Sequence, residues 1–366
     1  MRRQLNAGRR SSAAAAVALG IALAACAPGP SAAYQVAKGA GDRAYSSGRY
    51  TEAAGAYADA IRTADRPRDA AEAMYLEASA HQRSGARDSA RAAYERLIAG
   101  QPQSHFARRA EFDLADLEIE AGNAEKGYER YRQLTTMTPD HGLARRAMER
   151  YLRHLESTGR DPAGWLKTIL PQITATALDE TARYALAGYL EKSADLQGAR
   201  DAYLACAERH PYPKGALFDD ALWHASRLSE ALGSPEQAVA HLRAMLAVRE
   251  TSTTVGSYER PRFSPAQFRI AVLYRDALRD PVAARREFHR LYVDHPTSIL
   301  RDDALWEEAK LARDTGHAGD ACNLAAALTK DFPTSRYAPC AGALCPSATA
   351  APGRCHAYLI RSGGSD

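Results

Sequence analysis

The sequence predicts an all-α protein, a solenoid of about eight helix hairpins, and three observations predict it. A short pattern of small, aromatic and aliphatic residues recurs around a turn along most of the 366-residue chain. The apolar residues within each copy are spaced three to four apart, which is the period of one helix face. Proline recurs at the end of most copies, where it stops a helix.

The repeated unit is clearest in two copies that align without a gap. In residues 74–102 the turn is Gly85, with Ala78 seven residues before it and Ala90, Tyr94 and Leu97 five, nine and twelve residues after it. Small alanines let two antiparallel helices approach closely, and glycine adopts the left-handed conformation with which helices often end. The second copy has the same order at the same offsets, in Ala115, Gly122, Gly127, Tyr131, Leu134 and Pro139.

The other copies keep this order with more substitutions. Their turn positions are Gly48, Ala194, Gly233, Arg279 and Gly316. The prolines that end the copies are Pro102, Pro139, Pro211, Pro296 and Pro333. A serine follows three of these prolines by two residues and supplies a hydroxyl that can cap the next helix. A degenerate unit near residues 142–176, which turns around Gly159, departs most from the pattern.

This order of residues resembles the tetratricopeptide repeat, and the resemblance covers residues 36–338. It implies hairpins that stack into a right-handed superhelix with a concave binding surface, because one hairpin cannot bury its own apolar face. Several units are 37 residues long, whereas the usual repeat has about 34. The longer unit is similar to the repeats of bacterial envelope lipoproteins, including the outer-membrane barrel-assembly lipoprotein and the Tol-Pal coordinator, which implies an envelope scaffold.

Residues 1–25 have the pattern of a signal peptide, with four arginines, an uncharged alanine-rich stretch and small residues before a cleavage point. Residues 23–26 read LAAC, which resembles the lipobox of bacterial lipoproteins and implies attachment of lipid, such as palmitate, to Cys26. Residues 26–35 are then the linker to the lipid anchor. Alanine after Cys26 implies that the anchor lies at the periplasmic face of the outer membrane. The inner membrane is the alternative location. The alternative is an ordinary secretory signal in which Cys26 is incidental.

The net charge of +4 belongs to this signal. Residues 1–25 hold four arginines and no acidic residue, so the remaining chain has 44 basic and 44 acidic residues. Such a balance gives no electrostatic footprint for nucleic acid.

A set of mostly aromatic side chains lies ten residues before successive turns. Its members are Tyr75, Phe112, Tyr184, Trp223, Arg269 and Trp306. The resemblance implies that this helix position faces the concave groove, where aromatic and arginine side chains would anchor a partner's peptide or helix. The alternative is that the rings pack between repeats.

A second candidate binding site is the segment of residues 249–265, which interrupts the repeat spacing with polar, glycine and proline residues. Loops on a rigid scaffold often carry binding residues. A tolerated insertion without function explains the segment equally well. The candidate contact residues are Tyr258, Arg260, Arg262 and Phe263.

Five cysteines follow Cys26, and their use fits an exported protein. Four are predicted to form two disulfides, in any of three pairings, which tie the tail of residues 339–366 to the last hairpin. These four are Cys322, Cys340, Cys345 and Cys355. Cys206 occupies an aliphatic position of the repeat and is predicted to be a buried thiol. The spacing of the four cysteines near the C-terminus fits neither a zinc site nor covalently bound haem.

The sequence contains no catalytic motif that we recognise. The acidic pairs 219–220 and 302–303 fall in predicted first turns, where carboxylates favour the positive end of a helix. We therefore predict a non-enzymatic scaffold without a cofactor or metal, which binds envelope proteins or peptides of the outer-membrane assembly or of the cell-wall and division machinery. The alternative is an accessory adaptor or activator of a peptidoglycan hydrolase or a secretion system.

Overall fold

The computed structural model describes residues 29–248 and 260–360, and all regular secondary structure within these ranges is helical. The predicted signal peptide, Cys26 and Tyr258 lie outside the described residues. The described ranges contain eighteen α-helices, which are α1 (Ala32–Ser46), α2 (Tyr50–Thr63), α3 (Pro67–Arg83), α4 (Arg87–Gly100), α5 (His105–Glu120), α6 (Ala124–Met137), α7 (Gly142–Ser157), α8 (Pro162–Ile169), α9 (Asp179–Lys192), α10 (Leu196–Arg209), α11 (Phe218–Ala231), α12 (Pro235–Leu246), α13 (Phe263–Asp276), α14 (Pro281–Asp294), α15 (Arg301–Asp314), α16 (Ala318–Asp331), α17 (Ala341–Leu344) and α18 (Ala357–Ile360).

Helices α1 to α6 form three hairpins and α9 to α16 form four more, which confirms the predicted all-α fold. From α1 to α6, and again from α8 to α16, each helix packs against the next one along the chain. The chain divides into two compact units, and the boundary between them lies inside α7, between His154 and Leu155. The predicted degenerate unit corresponds to α7 and the short α8, which a 3₁₀ turn, Leu170–Gln172, follows.

The turn within each hairpin, and the turn between α7 and α8, contains a residue with a left-handed backbone conformation. These residues are Gly48, Gly85, Gly122, Gly159, Ala194, Gly233, Arg279 and Gly316. At the first of the two clear copies, the N–H of Gly85 donates to the carbonyl of Gln82 at 3.1 Å, as in a helix that ends in a Schellman motif. Ala194 and Arg279 have φ of 64° and 54°. These positions follow from the repeat offsets alone, although neither residue is a glycine.

The close approach of the two helices explains the small residues of the repeat. Ala78 and Ala90 are fully buried between α3 and α4, and Tyr94 packs in the same cluster. In the next hairpin, a Cβ atom on Gly127 would lie 2.6 Å from the carbonyl oxygen of Ala115. A larger residue would therefore separate α5 from α6.

The predicted helix ends are also present. Helices α4, α6, α10, α14 and α16 each end two residues before a proline. Ser104 is the N-cap of α5, and its hydroxyl accepts a hydrogen bond from the N–H of Phe106 at 3.2 Å. Ser298 does not cap the next helix as expected. Its hydroxyl accepts a hydrogen bond from the N–H of Leu300, but α15 begins only at Arg301.

The C-terminal tail is part of the last hairpin's core and is not a separate appendage. Tyr337, Leu344 and Leu359 are buried in one cluster with Trp306 of α15 and Leu328 of α16. Among the described helices, none combines the length and the apolar character that crossing a membrane requires.

Candidate protein-docking cleft

Three of the six predicted groove residues are buried, which corrects the prediction that they face a partner. Tyr75, Phe112 and Trp306 are only 1–7 % exposed. The guanidinium of Arg109 lies 4.9 Å from the ring centre of Tyr75, and that of Arg146 lies 4.6 Å from the ring centre of Phe112. Each arginine comes from the next repeat, so the rings pack between repeats and are covered by a cation–π contact.

Tyr184 is partly buried in a cluster of rings. Its ring centre lies 5.1 Å from that of Tyr203 and 6.0 Å from that of His224, and the rings of Tyr203 and His224 stack at 4.9 Å. Burial lowers the pKa of His224, and the neighbouring Arg227 lowers it further, against the opposite effect of Glu191.

Trp223 differs from the buried rings, because it stays partly exposed on α11. The guanidinium of Arg262 lies 5.2 Å from the ring centre of Trp223 and forms an ion pair with Asp220 at 2.6 Å. The structure therefore brings together one residue of the predicted groove set and one residue of the 249–265 segment.

An open cleft of about 640 Å³ lies beside Trp223. Its lining residues are Trp223, Ser226, Arg227, Glu230, Ala231, Leu242 and Arg269. Helix α11 supplies the first five, α12 supplies Leu242, and α13 supplies Arg269, which forms an ion pair with Glu230. We call this feature the Trp223 cleft.

The repeat spacing is longer at this point of the chain than in the two clear copies. Gly233 and Arg279, the turn residues of successive hairpins, are 46 residues apart, whereas Gly85 and Gly122 are 37 apart. The additional residues precede α13, and Arg262, the N-cap residue of α13, is the residue whose guanidinium lies over Trp223.

Two candidates from the 249–265 segment pack against the helices and are not presented to a partner. Phe263 is 2 % exposed at the start of α13. The guanidinium of Arg260 lies between the rings of Tyr212, at 3.9 Å, and Phe263, at 4.3 Å, and forms an ion pair with Asp219 at 3.0 Å. This packing corrects their predicted role, because a buried ring and a largely enclosed guanidinium leave little surface for binding.

Sequence reasoning missed Arg227 and Glu230, although a signal for them exists. They lie four and seven residues after Trp223, so the three side chains share one face of α11. Arg227 is exposed, and no carboxylate among the described residues lies within ion-pair distance of it. The cleft thus presents an aromatic face beside one unpaired cation, a combination that is common at protein-binding hot spots.

The structure pairs Cys322 with Cys345 and Cys340 with Cys355, which is one of the three possible pairings. The first bridge joins α16 to the tail, and the second lies within the tail. Cys206 is a buried free thiol, and burial raises its pKa to about 12. No group of His, Cys, Asp and Glu side chains in the described ranges could hold a metal ion.

Comparison with known proteins identifies one repeat directly. Residues 72–104 match the tetratricopeptide repeat family. No curated protein sequence matches the chain.

Solved structures of helical-repeat proteins are similar at low sequence identity. The C-terminal part of a TPR repeat-containing protein from Cytophaga hutchinsonii is 14 % identical, with a TM-score of 0.42, over 74 % of this chain and 99 % of that one. PilF from Pseudomonas aeruginosa is 15 % identical, with a TM-score of 0.29, over 74 % and 96 %. PilW, a type IV pilus biogenesis factor, is 20 % identical, with a TM-score of 0.30, over 72 % and 94 %. Similarity at this level says nothing about function. The chain is an all-α array of tetratricopeptide-type hairpins, and its matched repeat consists of most of α3, all of α4 and the turn between them.

Proposed function

We propose that the protein is a non-enzymatic scaffold of the bacterial cell envelope, which a lipid on Cys26 anchors at the periplasmic face of the outer membrane. Its partner is a protein that docks at the Trp223 cleft. The observation that carries the proposal is the partly exposed ring of Trp223 beside the unpaired Arg227, on a helical array in which Tyr75, Phe112 and Trp306, at the same repeat position, are buried.

The chemistry of the cleft supports recognition more than catalysis. Its ionisable groups are the guanidiniums of Arg227 and Arg269 and the carboxylate of Glu230, which Arg269 holds in an ion pair. Arginine does not lose its proton in proteins, so neither guanidinium acts as a general base. An aromatic face with fixed charges suits a partner's side chains.

Two independent features support export. One is the LAAC sequence of residues 23–26 after a basic, alanine-rich stretch. The other is the pair of disulfides in the tail, because such bridges persist in oxidising compartments outside the cytosol.

The test is crosslinking of the full-length protein in intact cells, followed by mass spectrometry of the captured partners. We expect an envelope protein that is lost in Trp223→Ala and Arg227→Glu and retained in Arg87→Glu, an exposed residue of α4. Metabolic labelling with palmitate should mark the natural chain and leave Cys26→Ala unmarked.

The outcomes separate the parts of the proposal. Equal recovery of the partner by Trp223→Ala would remove the cleft as the docking site. Absence of palmitate from the natural chain would remove the lipid anchor. Capture of a peptidoglycan hydrolase or a secretion component in place of assembly or division proteins would favour the adaptor or activator function.

A further inference from the structure

Large apolar side chains that stay exposed are concentrated on one segment of the second unit. Val282 and Val293, both on α14, are 69 % and 55 % exposed, and Ile299, in the turn that follows, is 90 % exposed. Surface apolar residues are ordinary when they are scattered, but a group on one element marks a contact surface.

The exposed residues of α14 lie in a single row. Val282, Arg286, His289 and Val293 are spaced by four, three and four residues, so they follow one face of the helix over about 16 Å. Arg290 is exposed beside this row. The opposite face packs inward with Ala283, Ala284, Glu287, Phe288 and Leu291.

The exposed charge along the row is positive, because the carboxylate that pairs with its arginines, that of Glu287, is buried beneath the row. Glu287 is 1 % exposed and accepts hydrogen bonds from Arg243 and Arg290, each at 3.0 Å, while Arg286 lies 3.8 Å from the same carboxylate. One buried carboxylate therefore serves three guanidiniums, whose side chains are about half exposed. The excess positive charge faces the solvent.

The other acidic side chains nearby do not neutralise this excess of positive charge. Glu308 is nearly buried and lies 3.2 Å from His289, and Asp320 is held by Arg285 at 2.6 Å. Asp294, an exposed acidic residue, lies at the C-terminal end of α14, beyond the middle of the row.

A cleft of about 520 Å³ lies beside the part of the row from Val282 to His289. Helix α14 forms one wall with Val282, Arg286 and Arg290, and α16 forms the other with Asn323 and Leu324. The two carboxylates that also line the cleft, Glu308 and Asp320, are paired with His289 and Arg285 of α14. A partner's side chains could thus be seated beside the row, and not only on top of it.

We infer that this face of α14 docks an amphipathic helix of a partner protein, one that presents carboxylates between two apolar side chains. The apolar residues at the two ends of the row would pack against the partner's apolar residues, and the guanidiniums between them would receive its carboxylates. The inference depends neither on the lipid anchor nor on the Trp223 cleft. A flat anionic membrane fits less well, because the basic residues form a row one helix wide beside a concave cleft.

Fluorescence anisotropy with a labelled helical peptide of about 15 residues, which has leucines near both ends and glutamates between them, tests this inference. The protein is the mature chain with Cys26→Ala. We expect saturable micromolar binding that Arg286→Glu weakens about tenfold and that Val282→Ser with Val293→Ser weakens severalfold. Arg87→Glu on α4 is the matched control, because that exposed arginine lies on an outer helix face of mixed charge.

Circular dichroism of every variant establishes that it remains folded. The three substituted residues are exposed, and none of them is a partner of Glu287 at hydrogen-bond distance. A peptide with lysine in place of glutamate should not bind. Equal binding of both peptides, or an equal effect of Arg87→Glu, would overturn the inference. Binding to vesicles with anionic lipid, without binding to the glutamate peptide, would overturn it in favour of a membrane surface.

Discussion

Trp306 and Trp223 stand at the same position of the repeat, ten residues before the turn, and their environments differ. At Trp306, the ring of Tyr337 stacks in nearly parallel orientation at 5.0 Å, and Arg336 and Tyr337 both reach Asp303 of the same helix. At Trp223, a guanidinium covers part of the ring and the rest faces a cleft. The comparison teaches that the side chains packed over this ring, and not its position in the repeat, decide whether it belongs to the core or to a binding surface.

The largest expected effect is on the free energy of unfolding, when the ring of Trp306 or of Trp223 is removed. Trp306→Ala should lower the free energy of unfolding by about 3–5 kcal/mol, because it leaves a cavity in a closed core. Trp223→Ala should lower it by less than about 1 kcal/mol, because part of that ring is already solvated. Chemical denaturation of the mature Cys26→Ala chain measures both. Equal losses for the two variants would show that the rings have the same environment after all.

The next effect concerns the bridge that holds the tail against Trp306. Paired Cys322→Ser and Cys345→Ser substitutions should lower the stability of the last hairpin by about 3 kcal/mol, since the bridge closes a loop of moderate length. Hydrogen exchange of α15 and α16 detects the loss, and α11 serves as the internal reference. Unchanged protection of α15 would mean that packing alone holds the tail.

A smaller effect is expected at the turns. Arg279→Gly should stabilise the protein by about 1 kcal/mol, because a left-handed conformation is strained for a side-chain-bearing residue. Gly85→Ala should destabilise the regular turn by about the same amount for the opposite reason. Thermal melting of the two variants checks the signs. A loss of stability in Arg279→Gly would show that the arginine side chain makes a compensating contact.

The smallest effect concerns the arginine over the exposed ring. Arg262→Ala should change the free energy of unfolding by no more than about 0.5 kcal/mol, because the ion pair with Asp220 is substantially exposed. The same substitution should nevertheless increase the quenching of Trp223 fluorescence by acrylamide. The measurement uses a chain in which Trp165 and Trp306 are replaced by phenylalanine, so that Trp223 is the one tryptophan that remains. Unchanged quenching would show that Arg262 does not shield the ring.

The sequence predicted the fold well, because the features that specify it are local. Turn geometry depends on a few adjacent residues, so even Ala194 and Arg279 were found from their offsets. Helix ends follow from proline for the same reason.

The site was predicted only in part, because exposure depends on contacts between repeats. Nothing local distinguishes Trp306 from Trp223, since the difference lies in the stacked ring of Tyr337 for one and in the open cleft for the other. The disulfide pairing and the packing of the tail also depend on which segments meet in space. Arg227 could have been found from its position on the same helix face as Trp223.

The tail also bears on how such an array can change its length during evolution. Residues 335–345 lie against α15, where a further hairpin would otherwise pack, and Cys345 is bonded to α16. A duplicated hairpin inserted directly after α16 would have to displace this segment and break its bridge. A hairpin duplicated further upstream meets no such obstacle, so the array can lengthen from within while its last repeat stays closed.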